Sequence, residues 1–461
     1  MSQTSRDVLD RIDREKQSYL EELKELLRIP SISTDPDYRD KVLEAATFLE
    51  QRMQDAGLET EQIDAGGYPL VYGEWSGAGP DAPTVLFYGH YDVQPPDPLD
   101  LWRNPPFEPA EEDGFLVARG ATDDKGQVYT HVKAIAAMLA ERGSLPVNVK
   151  LIVEGEEESG GEAIERFVRE DAGRRLAADC VVISDTSLYD EGQPALIYGL
   201  KGLAYMEVKV TGPAMDLHSG TFGGCVTNPL NALATIISRT WDADTGKVLI
   251  PGFYDAVRPL EDWERKQFAA LPFSEQDYAS SLGVSTVYGE EGYTTRERGW
   301  GRPTCDVNGI YGGYQGKGAK TIIPSWGGAK ISMRLVPDQD PADIAKKFTE
   351  HVHAVAPPGV TIEVRDLHGA QPTLLETEGS AVEAAKEALE EVWGAAPVFV
   401  REGGSIPIVS TFDEVLGVPV LMLGFGLPDD GLHSPNERFK IDNFYGGIRS
   451  IARFLDRLGA G

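Results

Sequence analysis

Apolar and polar positions along the chain follow two periods, and the places where one gives way to the other outline the architecture. From about Val8 to Leu27 charged and apolar residues recur at helical spacing up to Ile29-Pro30, and Val42 to Ala56 repeats the pattern before Gly57, so both read as packing helices. Short apolar runs follow at Val85 to Tyr88, Val147 to Glu154 and Cys180 to Ile183, separated by helical stretches at Val128 to Arg142 and Ala163 to Glu170. Runs of this kind suit strands buried on both faces. Their alternation with helices predicts an α/β fold with a mostly parallel sheet flanked by helices, in which sites sit at the carboxyl ends of strands. The strand from Thr84 to Tyr88 is expected to end at Gly89, where the chain opens into a loop.

Near Gly199 the texture changes. Leu203 to Val210 and Lys330 to Val336 alternate as half-exposed strands do, with helical patterns at Asn228 to Arg239 and Pro341 to His353, which together describe an α+β insert. Between them Trp241 to Gly301 is rich in charged, aromatic and turn residues and carries no clear period. From Gly379 a long amphipathic helix returns, followed by Phe399 to Val409 and the apolar Pro419 to Gly424. The expected organisation is a main domain in two parts, 1–198 and 373–461, interrupted by a second domain at 199–372.

Composition narrows what such a fold does. A chain of 461 residues with 41% hydrophobic content buries a large core. Its 74 acidic and 43 basic residues give a formal charge of -31, so nucleic acids and anionic membranes are not expected partners. Cys180, Cys225 and Cys305 lie far apart, which offers neither a disulfide framework nor a thiolate metal site and fits a reducing, cytoplasmic setting. There is no basic segment followed by an apolar run at the start, and no stretch approaches the roughly 20 apolar residues of a membrane span.

The candidate chemistry gathers where the strands of the main domain end. His90 and Asp92 follow the first strand and point the same way along an extended chain, so the carboxylate can fix the imidazole tautomer while the other ring nitrogen faces a metal; a structural strand-end pair is the plainer alternative. Arg119 to Gly126 places Asp123 and Asp124 side by side in a Gly-flanked turn that opens a helix, a common helix cap unless a cation sits nearby. Glu154, Glu156, Glu157 and Glu158 crowd the end of the second strand, which suits either a solvated acidic loop or a multivalent cation. Ser184-Asp185-Thr186 and Gly431 to Glu437, with His433, complete the set. Two histidines and several carboxylates at one sheet edge point to a dinuclear site, since Zn²⁺ and Mn²⁺ both accept such ligands and a pair about 3.5–4 Å apart needs a bridging carboxylate.

Eight motifs in order, G-H-Y-D-V-Q-P, R-G-A-T-D-D-K-G, E-G-E-E-E-S-G, S-D-T, D-L-H-S-G, R-L-V-P, E-G-G-S-I-P and G-L-H-S-P-N-E, resemble the cytosolic non-specific dipeptidase and carnosinase family. That family lies within the larger group of acetylornithine deacetylase, succinyl-diaminopimelate desuccinylase and carboxypeptidase G, and the likeness spans nearly the whole chain. The resemblance implies a zinc-exopeptidase-like catalytic domain with an inserted lid and dimerisation domain. It implies that His90 and Asp185 hold one metal and Glu158 and His433 the other, with Asp123 bridging and the Asp123–Asp124 peptide cis. Asp92 would orient His90, and Glu157 would be the general base for a metal-activated water. His218 would reach across a homodimer to stabilise the oxyanion, and Arg334 would clamp a substrate carboxylate. Thr321, Asn308, Gly404 and Ser405 are further substrate contacts on the same grounds, while His131, His351, His353 and His368 match no site motif.

The expected activity is therefore metal-dependent hydrolysis of dipeptides or short peptides with a free C-terminal carboxylate, using two Zn²⁺ or Mn²⁺ ions. An N-acyl amino acid deacylase using the same metals and a non-catalytic scaffold are the alternatives.

Overall fold

The computed structural model describes residues 3–171, 174–404 and 406–460, with backbone alone for residues 3–5 and 171. The chain forms two compact units, one made of Met1–Tyr198, Leu375–Val400 and Ile408–Gly461, the other of Gly199–Leu374 with Arg401–Pro407. The short Arg401–Pro407 segment, which the sequence pattern groups with the C-terminal part, thus belongs to the second unit.

The first unit is built on a mixed sheet whose centre is parallel. Asn148–Glu154, Thr84–His90, Cys180–Ile183 and Val420–Met422 lie side by side in parallel, in that order. Antiparallel strands close both sides: Leu70–Trp75 and then Glu59–Ile63 beyond Asn148–Glu154, and Ala195–Leu200 beside Val420–Met422. Every residue of Asn148–Glu154 is buried, as a strand covered on both faces requires. Helices Gln3–Leu27, Lys125–Arg142, Ser380–Trp393 and Ile441–Leu458 pack on one another and share one apolar core with the strands. Lys125–Arg142 is enclosed so completely that its buried residues run unbroken from Lys125 to Ile135. Among the described residues no helix is long and apolar enough to cross a membrane.

Two local expectations are corrected. Gly89 does not open a loop, because the strand continues to His90; a Cβ at Gly89 would meet Val128 Cγ2 at 2.3 Å and Asp124 Oδ2 at 2.6 Å, so glycine serves the close approach of the next helix. The run Phe399 to Val409 divides into the strand Val398–Glu402 and the helix Pro407–Leu416. The helix Ile441–Leu458 contains Gly446 and Gly447, whose missing side chains admit Trp393 and Phe425 respectively.

The second unit carries an antiparallel sheet in the order Thr304–Gly312, Trp326–Leu335, Gly202–Thr211, Thr361–Ala370. Burial alternates residue by residue along Gly202–Thr211, with the inward set packed against helices Pro229–Ile237 and Pro341–Val355. The stretch Trp241 to Gly301 forms short helices Asp262–Ala270, Glu275–Ser281 and Thr295–Gly301, the first and third held by capping boxes. Buried ion pairs anchor it: Arg302 forks onto Glu290 at 2.7 and 2.8 Å, and Arg401 bonds Glu264.

His131 is one of the histidines without a site motif, and it is a core residue of the first unit. Its Nε2 lies 2.7 Å from Ser184 Oγ, its ring stacks 4.8 Å from Phe87, and burial pulls its pKa down to about 3. Because the folded value lies below the free one, His131 stays neutral in the fold while the unfolded chain takes a proton, so stability falls as pH drops from about 6.5 toward 3. His131→Gln should flatten the acid dependence of urea unfolding between pH 6 and 4 by up to about 1.4 kcal/mol per pH unit.

Candidate metal centre

His90 ends the Thr84–His90 strand, wholly buried, with its backbone N–H donating to Asp124 Oδ2 at 3.2 Å. Its ring is held from behind: Nδ1 lies 3.1 Å from the Asp92 carbonyl and 3.2 Å from Asp92 Oδ1. The other oxygen of Asp92 accepts from Glu158 N at 3.1 Å, so one buried carboxylate fixes both the imidazole and the turn after the next strand. Nε2 of His90 faces Asp123 Oδ1 at 3.1 Å and Asp185 Oδ2 at 3.9 Å.

Asp123 sits in the irregular loop before helix Lys125–Arg142, and its peptide to Asp124 is cis. Its second oxygen, Oδ2, lies 2.9 Å from His433 Nε2, which is also 3.4 Å from Glu158 Oε2. Two donor sets result, His90 with Asp123 and Asp185, and Asp123 with Glu158 and His433, each with its ligand atoms within 4.8 Å of one another. A single carboxylate serves both, one oxygen to each histidine. Glu158 lies in the short 3₁₀ turn Glu157–Ser159, which starts where the Asn148–Glu154 strand runs out, and Gln94 Nε2 donates to its Oε2 at 2.7 Å. His433 adopts φ +59°, which turns its ring back toward the loop of Asp123.

The charges are unevenly balanced. Burial opposes ionisation of Asp123, but hydrogen bonds to His433 and His90 outweigh it and hold its pKa below the ordinary carboxylate value. Burial and the Asp123 charge push Glu158 up to about 8, and burial with Asp123 and Asp92 nearby also raises Glu157. His433, bonded to Asp123, is raised to about 9; His90 is raised in spite of its burial by Asp123 and Asp92. The imidazolium protons therefore stand in for positive charge that the carboxylates call for. These residues fit a pair of divalent cations, because each Nε2 that holds a proton among carboxylate oxygens is also a ligand position, and cation binding displaces the proton. The mixed imidazole and carboxylate donors, without thiolate, suit Zn²⁺ or Mn²⁺.

Glu157 is half-buried and within electrostatic reach of His90, Asp123 and His433, yet it belongs to neither donor set. The substrate-side candidates lie in the second unit. His218 is exposed, and its Nδ1 accepts from Gly220 N at 3.0 Å, which leaves the proton on Nε2. Arg334 is half-buried on the Trp326–Leu335 strand, within electrostatic range of Lys201, whose pKa falls to about 8 through burial and the Arg334 charge. Asn308 is exposed at the register shift of Thr304–Gly312, and the carbonyl of Thr321 accepts from both Ser219 N and Ser219 Oγ at 3.1 Å. The Gly404 carbonyl accepts from Lys201 N at 3.1 Å, and Ser405 lies outside the described residues.

Sequence reasoning passed over Gln94 as a support for Glu158, Asp124 as the acceptor for His90 N–H, and Glu437. Glu437 was visible only as the last letter of the G-L-H-S-P-N-E motif. It is fully buried and accepts from Arg119 Nη1, Gly120 N, Thr122 N and Asp123 N at 2.8–3.0 Å.

Comparison with known proteins agrees with this geometry. The profile of peptidase family M20/M25/M40 matches residues 86–457. A Cys-Gly metallodipeptidase of Schizosaccharomyces pombe is 36% identical over 97% of both chains, and the β-Ala-His dipeptidase of Homo sapiens is 33% identical over 97% of this chain and 91% of its own. The solved structure of the dipeptidase Dug1p from Saccharomyces cerevisiae superposes with a TM-score of 0.87 at 32% identity over the whole of both chains. With a profile matched over most of its length and relatives a third identical from end to end, the chain belongs to peptidase family M20/M25/M40.

Proposed function

We propose that the protein is a metallo-dipeptidase that hydrolyses the amide bond of dipeptides and short peptides ending in a free carboxylate. The observation that carries this reading is the divided use of Asp123, one carboxylate oxygen at each histidine, in a chain similar to dipeptidases along its whole length. His90 and Asp185 would hold one cation, Glu158 and His433 the other, and Asp123 both; Zn²⁺ and Mn²⁺ each suit these donors. When bound, such a pair polarises a carbonyl oxygen and lowers the pKa of water.

The chain's own groups supply the rest. Glu157, kept basic by its buried surroundings, takes a proton from the attacking water and returns it to the departing amine nitrogen. Asp92 holds the His90 ring so that Nε2 faces the carboxylates. We assign the second unit to a lid and dimerisation domain, from which His218 of the partner subunit offers its Nε2 proton to the carbonyl oxygen as the carbon becomes tetrahedral. The Arg334 guanidinium, in the positive neighbourhood shared with Lys201, binds the substrate's C-terminal carboxylate. Thr321, Asn308, Gly404 and Ser405 are proposed to contact the remainder of the substrate. A homodimer working in the cytoplasm completes the reading; the three cysteines are free.

Glu157→Gln should lower kcat by about 10²–10⁴-fold while metal content, read by elemental analysis, stays at the wild-type level. Loss of metal along with activity would make Glu157 a ligand instead. In a panel of dipeptides, their C-terminal amides and N-acetyl amino acids, the free dipeptides should be cleaved fastest after Zn²⁺ or Mn²⁺ is restored to chelated protein; Arg334→Ala should raise KM for acids and leave the amides little changed. Cleavage of the N-acetyl substrates alone would make the enzyme a deacylase. Mixing the inactive variants Glu157→Gln and His218→Ala after subunit exchange should recover about a quarter of wild-type activity, because half of randomly paired dimers carry one intact composite site. No recovery would place His218 outside the partner's site.

A further inference from the structure

Asp123 must aim two oxygens at two separate donor sets, yet it lies in a loop with no ladder or helix to hold it. Its position depends on what fixes the backbone from Arg119 to Asp123. Three backbone donors of that loop, Gly120 N, Thr122 N and Asp123 N, converge on the carboxylate of Glu437 at 2.9, 3.0 and 3.0 Å. The Arg119 guanidinium adds a fourth bond at 2.8 Å, so Oε1 receives Thr122 and Asp123 while Oε2 receives Gly120 and Arg119. This is a backbone anion nest whose anion comes from the same chain.

Glu437 closes the loop that carries His433, four residues earlier. Its carbonyl accepts from Ala118 N at 3.0 Å, which ties the two segments a second time. Thr122 Oγ1 makes separate bonds across the same seam, to the Arg438 carbonyl at 2.6 Å and to Asp430 Oδ2 at 3.2 Å. A buried acid with both oxygens doubly engaged does not ligate a cation; it sets the spacing of residues that do. We propose that Glu437 is a positioning residue that locks the Asp123 loop to the His433 loop and thereby fixes the separation of the two cation sites. The inference rests on the metal reading above and adds to it a residue outside both donor sets.

The geometry states what each change does. Glutamine offers one oxygen and presents an NH₂ group to two donors, so one half of the nest is lost. Aspartate keeps the charge but draws the carboxylate back by one methylene. The test is calorimetric titration of the chelator-stripped full chain with Zn²⁺ and, separately, with Mn²⁺, alongside thermal unfolding of the metal-free protein. Glu437→Gln is expected to weaken at least one of the two binding events by about 10–100-fold, the range for groups that orient metal ligands, while unfolding stays cooperative. Thr122→Val removes the hydroxyl bonds across the seam but keeps its N–H on Glu437, and is expected to weaken binding far less.

Wild-type isotherms for E437Q would overturn the inference. So would an equal loss in T122V, which would make the effect a general loosening of the loop. Should E437Q not unfold cooperatively, Glu437→Asp carries the same expectation in smaller measure, and cation binding at wild-type strength in that variant would overturn it as well. A wild-type chain that takes up neither cation would overturn the functional reading itself, a result distinct from any variant-specific outcome.

Discussion

The site depends on one carboxylate having to satisfy two imidazoles from opposite ends. Asp123 presents Oδ1 to His90 and Oδ2 to His433, and everything around it either fixes that orientation or bears its electrostatic consequences. Gathering Asp123, Asp185, Glu157 and Glu158 in a partly buried volume is unfavourable unless positive charge accompanies them. Protonated histidines offset part of this repulsion, and the high proton affinity of Glu158 shows that the offset is incomplete. A pair of divalent cations relieves the same repulsion more fully, with the donors already facing one another.

The fold makes this arrangement possible by delivering its acids from parallel strands. His90, the Glu157–Glu158 turn and Asp185 follow the carboxyl ends of three adjacent strands, so residues distant in sequence arrive a few ångströms apart. The remaining candidate ligands, Asp123 and His433, come from loops, which have no ladder to hold them. Here the burden passes to buried polar groups: Asp92 binds the first strand end to the turn after the second, and Glu437 binds the Asp123 loop to that of His433. Gly89 contributes by having no side chain, letting the helix that begins beyond Asp124 approach the strand.

Legibility in the sequence followed the kind of force involved. Where burial is periodic it leaves a pattern, and Cys180–Ile183, the Lys125–Arg142 helix and the alternating Gly202–Thr211 strand were readable from it. Trp241 to Gly301 was not, because it is organised by capping boxes and by the buried Arg302–Glu290 and Arg401–Glu264 pairs, whose residues look like surface residues when read singly. The same blindness hid Glu437. A buried acid with four donors and a solvated acid are the same letter. The region of the two donor sets was legible because several motifs fell together at strand ends, and the family resemblance singled out which of its residues would ligate; Asp92 was legible as a support beside His90, whereas Gln94 and Glu437 are known only from the bonds they make.

Neighbouring acids show why position in the chain does not assign a role. Asp123 and Asp124 are consecutive, yet hydrogen bonds to two imidazoles keep Asp123 charged, while Asp124, buried near Asp185 and receiving the His90 N–H, is pushed well above the ordinary carboxylate value. Glu157 and Glu158 are both raised above the ordinary carboxylate value by burial, yet they differ in what faces them: Gln94 and His433 face Glu158, and Glu157 stands outside the donor sets. A carboxylate that meets fixed donors becomes a ligand or a strut. One that stands outside the donor sets, as Glu157 does, stays available to move a proton. The partition between binding and proton transfer is therefore decided by the donors each carboxylate finds, and adjacent residues can fall on opposite sides of it because a single peptide turn sends their side chains into different surroundings.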